Sequence, residues 1–373
     1  MRFFGLSDVD ERSSFKPCQG KCMNLLGSSS GSTSLFYIVS GKVLIDHGLN
    51  INFMRKQKKE IKLRETLFKR NGGSILEHML SGLQEITLRI FTADDLRKAT
   101  NNYSEDNVVL RDRSGITYKG IVWLDGVNHQ VTIKKYEVPD GCIDVFIGKL
   151  FTLSQINHMN VVKLIGCCLE THSPLLVYNS IAMQSLHDYI HNDALARSIS
   201  WDIRLRIAAQ TAGALASMHS AAAVPIIHGN INSSSILLNS HDYKAKVHDF
   251  SLFYCSESSN VRFYIDSIGY MDPECCVSGR LTMKSNVYSF GVVLAELLTG
   301  MQEIVDRRFV RDGKIEQLKE VAKIAVRCLS ESSEERPTMT QVVIELQSAI
   351  NMHSSTSMAP PTILRTRRRN RSL

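Results

Sequence analysis

The sequence predicts an α+β fold in two lobes, a small β-rich lobe followed by a larger helical one. Three observations carry this. Between about 105 and 178, short strand-like runs surround a single helical stretch. From 185 onward, apolar residues recur at three- and four-residue steps, the period of helices packed on a core. The chain has 373 residues, 43% of them hydrophobic and 22% charged. That is enough to bury a full core and excludes a chain disordered throughout.

The elements follow in order. Residues 1–53 are rich in Ser and Gly around 27–34, show no sustained period and receive no fold assignment. Met54 opens MRKQKKEIKLRETLFKRNGG, which reads like a second, natural start. A basic helix is expected over 55–80, with Ile61, Leu67, Phe68, Ile75, Leu76, Met79 and Leu80 as its apolar positions and a break at Asn71-Gly72-Gly73. Thr92 is an N-cap for ADDLRKAT, whose first turn holds Asp94 and Asp95, where the helix dipole favours acids. Val131 and Ile133 alternate with Thr132 and Lys134 as in a half-buried strand. Ile143, Phe146, Leu150, Leu153 and Ile156 mark a helix over 143–156, and Leu175 to Tyr178 a buried strand. Further helices are expected over 200–219, with Ser200 as N-cap, over 287–298, stopped by Gly300, and around Val342, Val343, Leu346 and Ile350.

The formal net charge of +7 is concentrated near the ends. Residues 54–70 carry eight Lys/Arg against two Glu, and 365–371 five Arg and no acid, while 71–364 is mildly acidic. The basic segment 54–70 suits peripheral contact with an anionic membrane surface; the alternative is a solvated stretch that aids solubility. No nucleic-acid partner is expected. The nine cysteines form no disulfide framework, Cys18 and Cys22 lack partners for a zinc site, and a reducing compartment fits best. The early apolar run Leu35 to Ile45 contains Gly41 and Lys42 and is far shorter than the ~20 residues of a membrane-spanning helix.

Motifs sharpen the reading. In order along the chain stand FTADDLRKATNNYSEDN, VVKLIGCCLE, LLVYNS, PIIHGNINSSSILL, KVHDFSLF, GYMDPE, NVYSFGVVLAELLTG and ERPTM. Residues 91–350 thereby resemble the protein kinase domain of plant receptor-like kinases of the wall-associated type. The preceding FKRNGGSILEHML resembles the cytoplasmic pseudokinase subgroup of that family. The resemblance implies a bilobal protein-kinase-like domain over 91–350 dividing near 180, with 54–90 as a basic helical segment before it and 351–373 as a disordered basic tail.

Residue by residue, the chemistry is damaged. IIHGNINSSSILL is similar to the kinase catalytic loop IIHRDxKxxNILL, with its apolar frame intact. Gly229 stands for the arginine, Asn230 for the catalytic base, Asn232 for the lysine and Ser235 for the metal-binding asparagine. A neutral amide cannot accept the substrate proton, a loss of ~10²–10⁴-fold in rate. In the phosphate loop VLRDRSGITYKG, only Gly115 of the glycines remains; Leu110 adds bulk and Asp112 a like charge, which Arg111 and Arg113 could offset. Lys134 in VTIK matches the phosphate-binding lysine, and Thr132 beside it narrows the adenine slot. Lys149 takes the place of the glutamate that should pair with Lys134. It would repel Lys134 unless the helix swings outward or its side chain turns to solvent. Asp249 in HDFS matches the Mg²⁺ ligand, with Ser251 in place of glycine; alone it is a weak metal ligand, and a structural role in its loop is the other reading.

The supporting residues are better kept. Glu274 and Arg336 match a buried ion pair, His228 and Phe250 two members of an apolar spine, and Asn286 replaces an aspartate that supports the catalytic loop. The activation segment from Ser251 to Glu274 holds Ser256, Ser258, Ser259, Tyr264 and Ser267 near Arg262, which reads either as a polar exposed loop or as a segment for modification by another kinase. The resemblance thus implies an inactive serine/threonine-type pseudokinase, with no cofactor beyond weak ATP and Mg²⁺. It implies a cytoplasmic adaptor, peripheral to the plasma membrane, whose partners are an NLR-type immune receptor and a receptor-like cytoplasmic kinase. The alternative is a weakly active or atypical ATP-dependent kinase.

Overall fold

The computed structural model describes residues 53–81, 88–112, 115–139, 141–180, 183–220, 225–250, 265–300 and 314–356. The chain divides into two units, Met1–Leu63 and Arg64–Leu373. In the first, 53–63 are helical and exposed.

Helix α1 runs to residue 70, and α2 (Gly73–Ser81) follows the turn at Asn71-Gly72. The break falls where the two glycines predict it. Asn71 is buried, and its amide donates to Leu169 O at 2.9 Å and Thr171 O at 2.8 Å, which fixes the turn. Leu67 and Leu76 are buried, but Ile75 is exposed, so the apolar stripe is narrower than the sequence suggests. Arg64 donates to both carboxylate oxygens of Asp94, at 2.6 and 3.1 Å. Asp94 lies on α3 (Ala93–Ala99), which Thr92 and Asp95 close with a reciprocal capping box.

Six strands form the first sheet: β1 (Arg89–Ile90), β2 (Val108–Asp112), β3 (Gly115–Leu124), β4 (Val127–Lys135), β5 (Leu164–Cys168) and β6 (Leu175–Asn179). Their order is β1-β5-β6-β4-β3-β2, antiparallel except for β1 beside β5. On β4, Val131 and Ile133 are buried, as the alternation predicts. Helix α4 (Ile143–Ser154) buries Phe146, Ile147, Leu150 and Leu153.

The second half is helical, with a three-stranded sheet made of β7 (Met183–Ser185), β8 (Ile236–Asn239) and β9 (Ala245–Val247). Among the described residues its helices are α5 (Leu186–His191), α6 (Asp193–Ala196), α7 (Trp201–Ser220), α8 (Pro273–Ser278), α9 (Met283–Thr299), α10 (Ile315–Cys328) and α11 (Met339–Thr356). One apolar core runs from Phe146 and Leu150 of α4 through Leu215 of α7 to Phe290 of α9 and Leu346 of α11. No described helix is long and apolar enough to cross a membrane.

Candidate functional site

The two sheets bring β4, the loop before β8 and the loop after β9 together. Lys134, from β4, is nearly fully buried and forms an ion pair with Asp249 Oδ1. The other carboxylate oxygen, Asp249 Oδ2, accepts from the Asn230 amide at 3.2 Å. Both oxygens of the only acid matching the metal loop are therefore engaged by side chains of the chain itself. Burial works against the Asp249 carboxylate, but the Lys134 ammonium holds its pKa below the usual carboxylate range. Asp249 has φ +62°, the left-handed backbone that aspartate tolerates better than most residues.

Around this pair the catalytic-loop substitutes hold one another. Asn232 donates to Asn230 O at 3.2 Å and Oδ1 at 3.3 Å. Its own Oδ1 accepts from Ser235 N at 2.9 Å, while Ser235 Oγ accepts from Asn232 N at 3.0 Å. Ser235 is 1% exposed, so its hydroxyl closes a capping box instead of facing the cleft. Lys149 is half-buried on α4, and the acidic group that meets Lys134 comes from the other lobe.

At the mouth of the cleft, Arg111 pairs with Glu105. The side chain of Asp112, and Arg113 and Ser114, lie outside the described residues. Leu110 on β2 is exposed. Thr132 Oγ1 donates to Ser180 Oγ at 3.5 Å, a hydroxyl bridge from β4 to the segment after β6. Gly115 has φ +142°, and a Cβ there would stand 2.1 Å from Lys135 O, so the strand crossing itself requires glycine.

Beneath the cleft, His228 is fully buried and stacks on Phe250 with ring centroids 4.4 Å apart. Its Nε2 bonds His248 O at 2.9 Å. Burial lowers the His228 pKa to about 4, so the ring is neutral. Gly229, with φ +77°, occupies without strain a backbone that costs a side-chain-bearing residue more. Its N–H donates to Asn286 Oδ1 at 3.1 Å, and Asn286 Nδ2 donates to His219 Nε2 at 3.0 Å. The amide at 286 thus supports the loop as the sequence reading allows. Burial also lowers His219 to about 4, which keeps its ring a neutral acceptor.

The expected Glu274–Arg336 ion pair is corrected. Arg336, 2% exposed, pairs with Asp272 at 2.8 Å. The same guanidinium donates to Ser330 O, Lys284 O and Glu331 O and lies over the Tyr288 ring, 5.0 Å from its centroid. Glu274 is exposed and accepts from Ser333 N at 2.7 Å. Asp272 turns inward because it is the N-cap of α8 and accepts from Glu274 N, while Pro273 opens the helix. Ser251, Ser256, Ser258, Ser259, Arg262 and Tyr264 lie outside the described residues, as does the side chain of Ser267.

A β-sheet lobe and a helical lobe that meet at a lysine–aspartate pair, over a buried histidine loop and an arginine anchor, define the architecture of a protein kinase domain. The family model of protein tyrosine and serine/threonine kinases matches residues 113–346, and the chain belongs to that family. Within it the chain is similar to plant receptor-like kinases. It is 38% identical over 346 residues to wall-associated receptor kinase 3 of Arabidopsis thaliana, covering 84% of this chain and 46% of that protein. To wall-associated receptor kinase-like 1 of the same plant it is 39% identical, covering 78% and 44%. To the putative wall-associated receptor kinase-like 16 it is 37% identical, covering 80% and 76%. The chain spans about half the length of most of the curated relatives it matches.

Proposed function

We propose that this chain is a catalytically inactive receptor-like kinase relative, a pseudokinase that acts as a signalling adaptor. One observation carries the reading: Asp249 is fully engaged by Lys134 and Asn230. In this family Mg²⁺-ATP, when bound, supplies the transferred phosphoryl group. The residues present do not fit it. The lysine that should meet phosphates meets the aspartate that should meet the metal. Ser235 is turned into its own turn, and Asn230 has no basic oxygen to take a proton. No catalytic step follows from such a set. What remains is a well-packed two-lobed body, suited to docking.

The direct test is a phosphotransfer assay of the purified chain with Mg²⁺- or Mn²⁺-ATP and a generic substrate, beside calorimetric titration with Mg²⁺-ATP. No transfer and no tight nucleotide binding are expected. Transfer abolished by Lys134→Ala would overturn the proposal and establish the atypical kinase. A dissociation constant in the low micromolar range, about −8 kcal/mol, would show that nucleotide displaces Asp249 from Lys134.

The partners proposed are those the sequence resemblance implies, an NLR-type immune receptor and a receptor-like cytoplasmic kinase, with the chain in the cytoplasm. The basic residues over 54–70 support peripheral contact with the plasma membrane, testable as binding to anionic vesicles that fades with salt. Co-precipitation from plant tissue, with and without residues 1–53, tests the partners.

A further inference from the structure

Beside the catalytic-loop turn lies a cluster that the kinase chemistry does not use. His187 and His191 are one helical turn apart on α5, both exposed, with ring centroids 4.2 Å apart. Glu296 reaches them from α9. Among the described residues, this is the group of three His, Cys, Asp or Glu side chains whose ligand atoms all lie within 4.8 Å of one another. The bonding of Glu296 is lopsided. Its Oε1 accepts from the Tyr270 hydroxyl at 2.7 Å, the Ser233 hydroxyl at 3.2 Å and His191 Nε2 at 3.3 Å. Its Oε2 is buried and has no hydrogen-bond partner among the described residues. The carboxylate therefore keeps one oxygen open beyond the oxygen that meets His191 Nε2.

We propose that His187, His191 and Glu296 form a site for a divalent transition metal, Zn²⁺ by the chemistry of its ligands. Two imidazoles and one carboxylate are an established zinc donor set that leaves a fourth position open. Ligand atoms of tetrahedral zinc stand roughly 3.3 Å apart, as bonds of about 2.0–2.2 Å require. Two exposed imidazoles reach that spacing by small rotations about χ1 and χ2. Exposure also gives the ion its way in. The metal would clasp α5 to α9 next to Ser233 through the Glu296 carboxylate, independently of nucleotide.

The test uses the full chain, stripped by chelator and kept reduced, titrated with Zn²⁺ and with Co²⁺ as a spectroscopic stand-in. Expected are saturable uptake of one equivalent and visible Co²⁺ bands without thiolate charge-transfer absorption. A rise in melting temperature with Zn²⁺ should accompany them. In His187→Ala/His191→Ala, whose circular dichroism should stay unchanged because both positions are exposed, all three signals should be lost. Glu296→Gln should weaken uptake and leave residual binding to the imidazoles. No saturable uptake by the wild type overturns the site. So does uptake that persists in the double histidine variant or carries a thiolate signature, since the ion would then sit at cysteines.

Discussion

Two buried polar networks lie one above the other in this molecule, and they have been treated differently. In the cleft, Asn230, Asn232 and Ser235 stand where charged or metal-binding groups belong, and the network closes on itself. Below it, Arg336 and Asp272 keep a full ion pair, surrounded by three main-chain carbonyls. Hydrogen bonding and chemistry are therefore separable demands. An amide or hydroxyl keeps a buried loop satisfied, at about 0.5–1.5 kcal/mol per bond, without a charge to offer a substrate. An anchor that joins three segments keeps its charges, because losing one strands the other.

Breaking the lower network should have the largest effect. Arg336→Ala or Asp272→Ala should lower stability by about 3–5 kcal/mol, read from urea unfolding, since each leaves a buried charge unpaired. Glu274→Ala should cost far less, because its side chain is exposed. Equal losses in Glu274→Ala and Asp272→Ala would return the anchor to the pair first read from sequence.

Acid should be the next strongest probe. His228 and His219 have folded pKa values lowered by burial to about 4, against about 6.5 unfolded. Their contribution is complete above about pH 6.5 and is lost as pH falls toward 4, because the unfolded chain takes up protons that the folded one refuses. Unfolding midpoints should fall by a few kcal/mol equivalent between pH 7 and pH 4.5. In His219→Gln the slope should flatten.

Asn286→Ala should cost about 1–3 kcal/mol, because it strands the Gly229 N–H and frees His219. The loss should be smaller than that of the anchor, since no charge is exposed. A neutral result would mean that water replaces the amide.

The smallest expected effect is a gain of activity. Asn230→Asp restores a base on paper, yet it removes the donor to Asp249 and sets two carboxylates about 3.2 Å apart. Phosphotransfer should stay at background in that variant, and in Lys149→Glu/Asn230→Asp/Ser235→Asn/Ser251→Gly it should rise only if the nucleotide site reforms. Robust activity from Asn230→Asp alone would mark a recently silenced enzyme.

Much of this was legible in the residues. The N-cap at Thr92, the break at Asn71-Gly72-Gly73, the buried Val131 and Ile133, and the missing base at 230 and metal ligand at 235 need only local rules. What sequence could not give was the choice among acids. Asp272 and Glu274 are two residues apart, and only the N-cap of α8 decides which carboxylate turns toward Arg336. Arg111 stands beside Asp112 in sequence, but the strand carries it to Glu105. His187 and Glu296 are brought together by packing, with no signal in spacing.

The turn at Asn71 bears on where this protein begins to be a folding unit. Its amide spends both hydrogens on the carbonyls of Leu169 and Thr171, far along the chain and at a buried spot. A fragment cut to 113–346, the residues that the kinase family model matches, would leave those carbonyls bare and remove the α1–α2 shoulder along with β1, α3 and β2. The autonomous domain is therefore longer at its front than that match alone would draw it, and expression boundaries belong before Arg64.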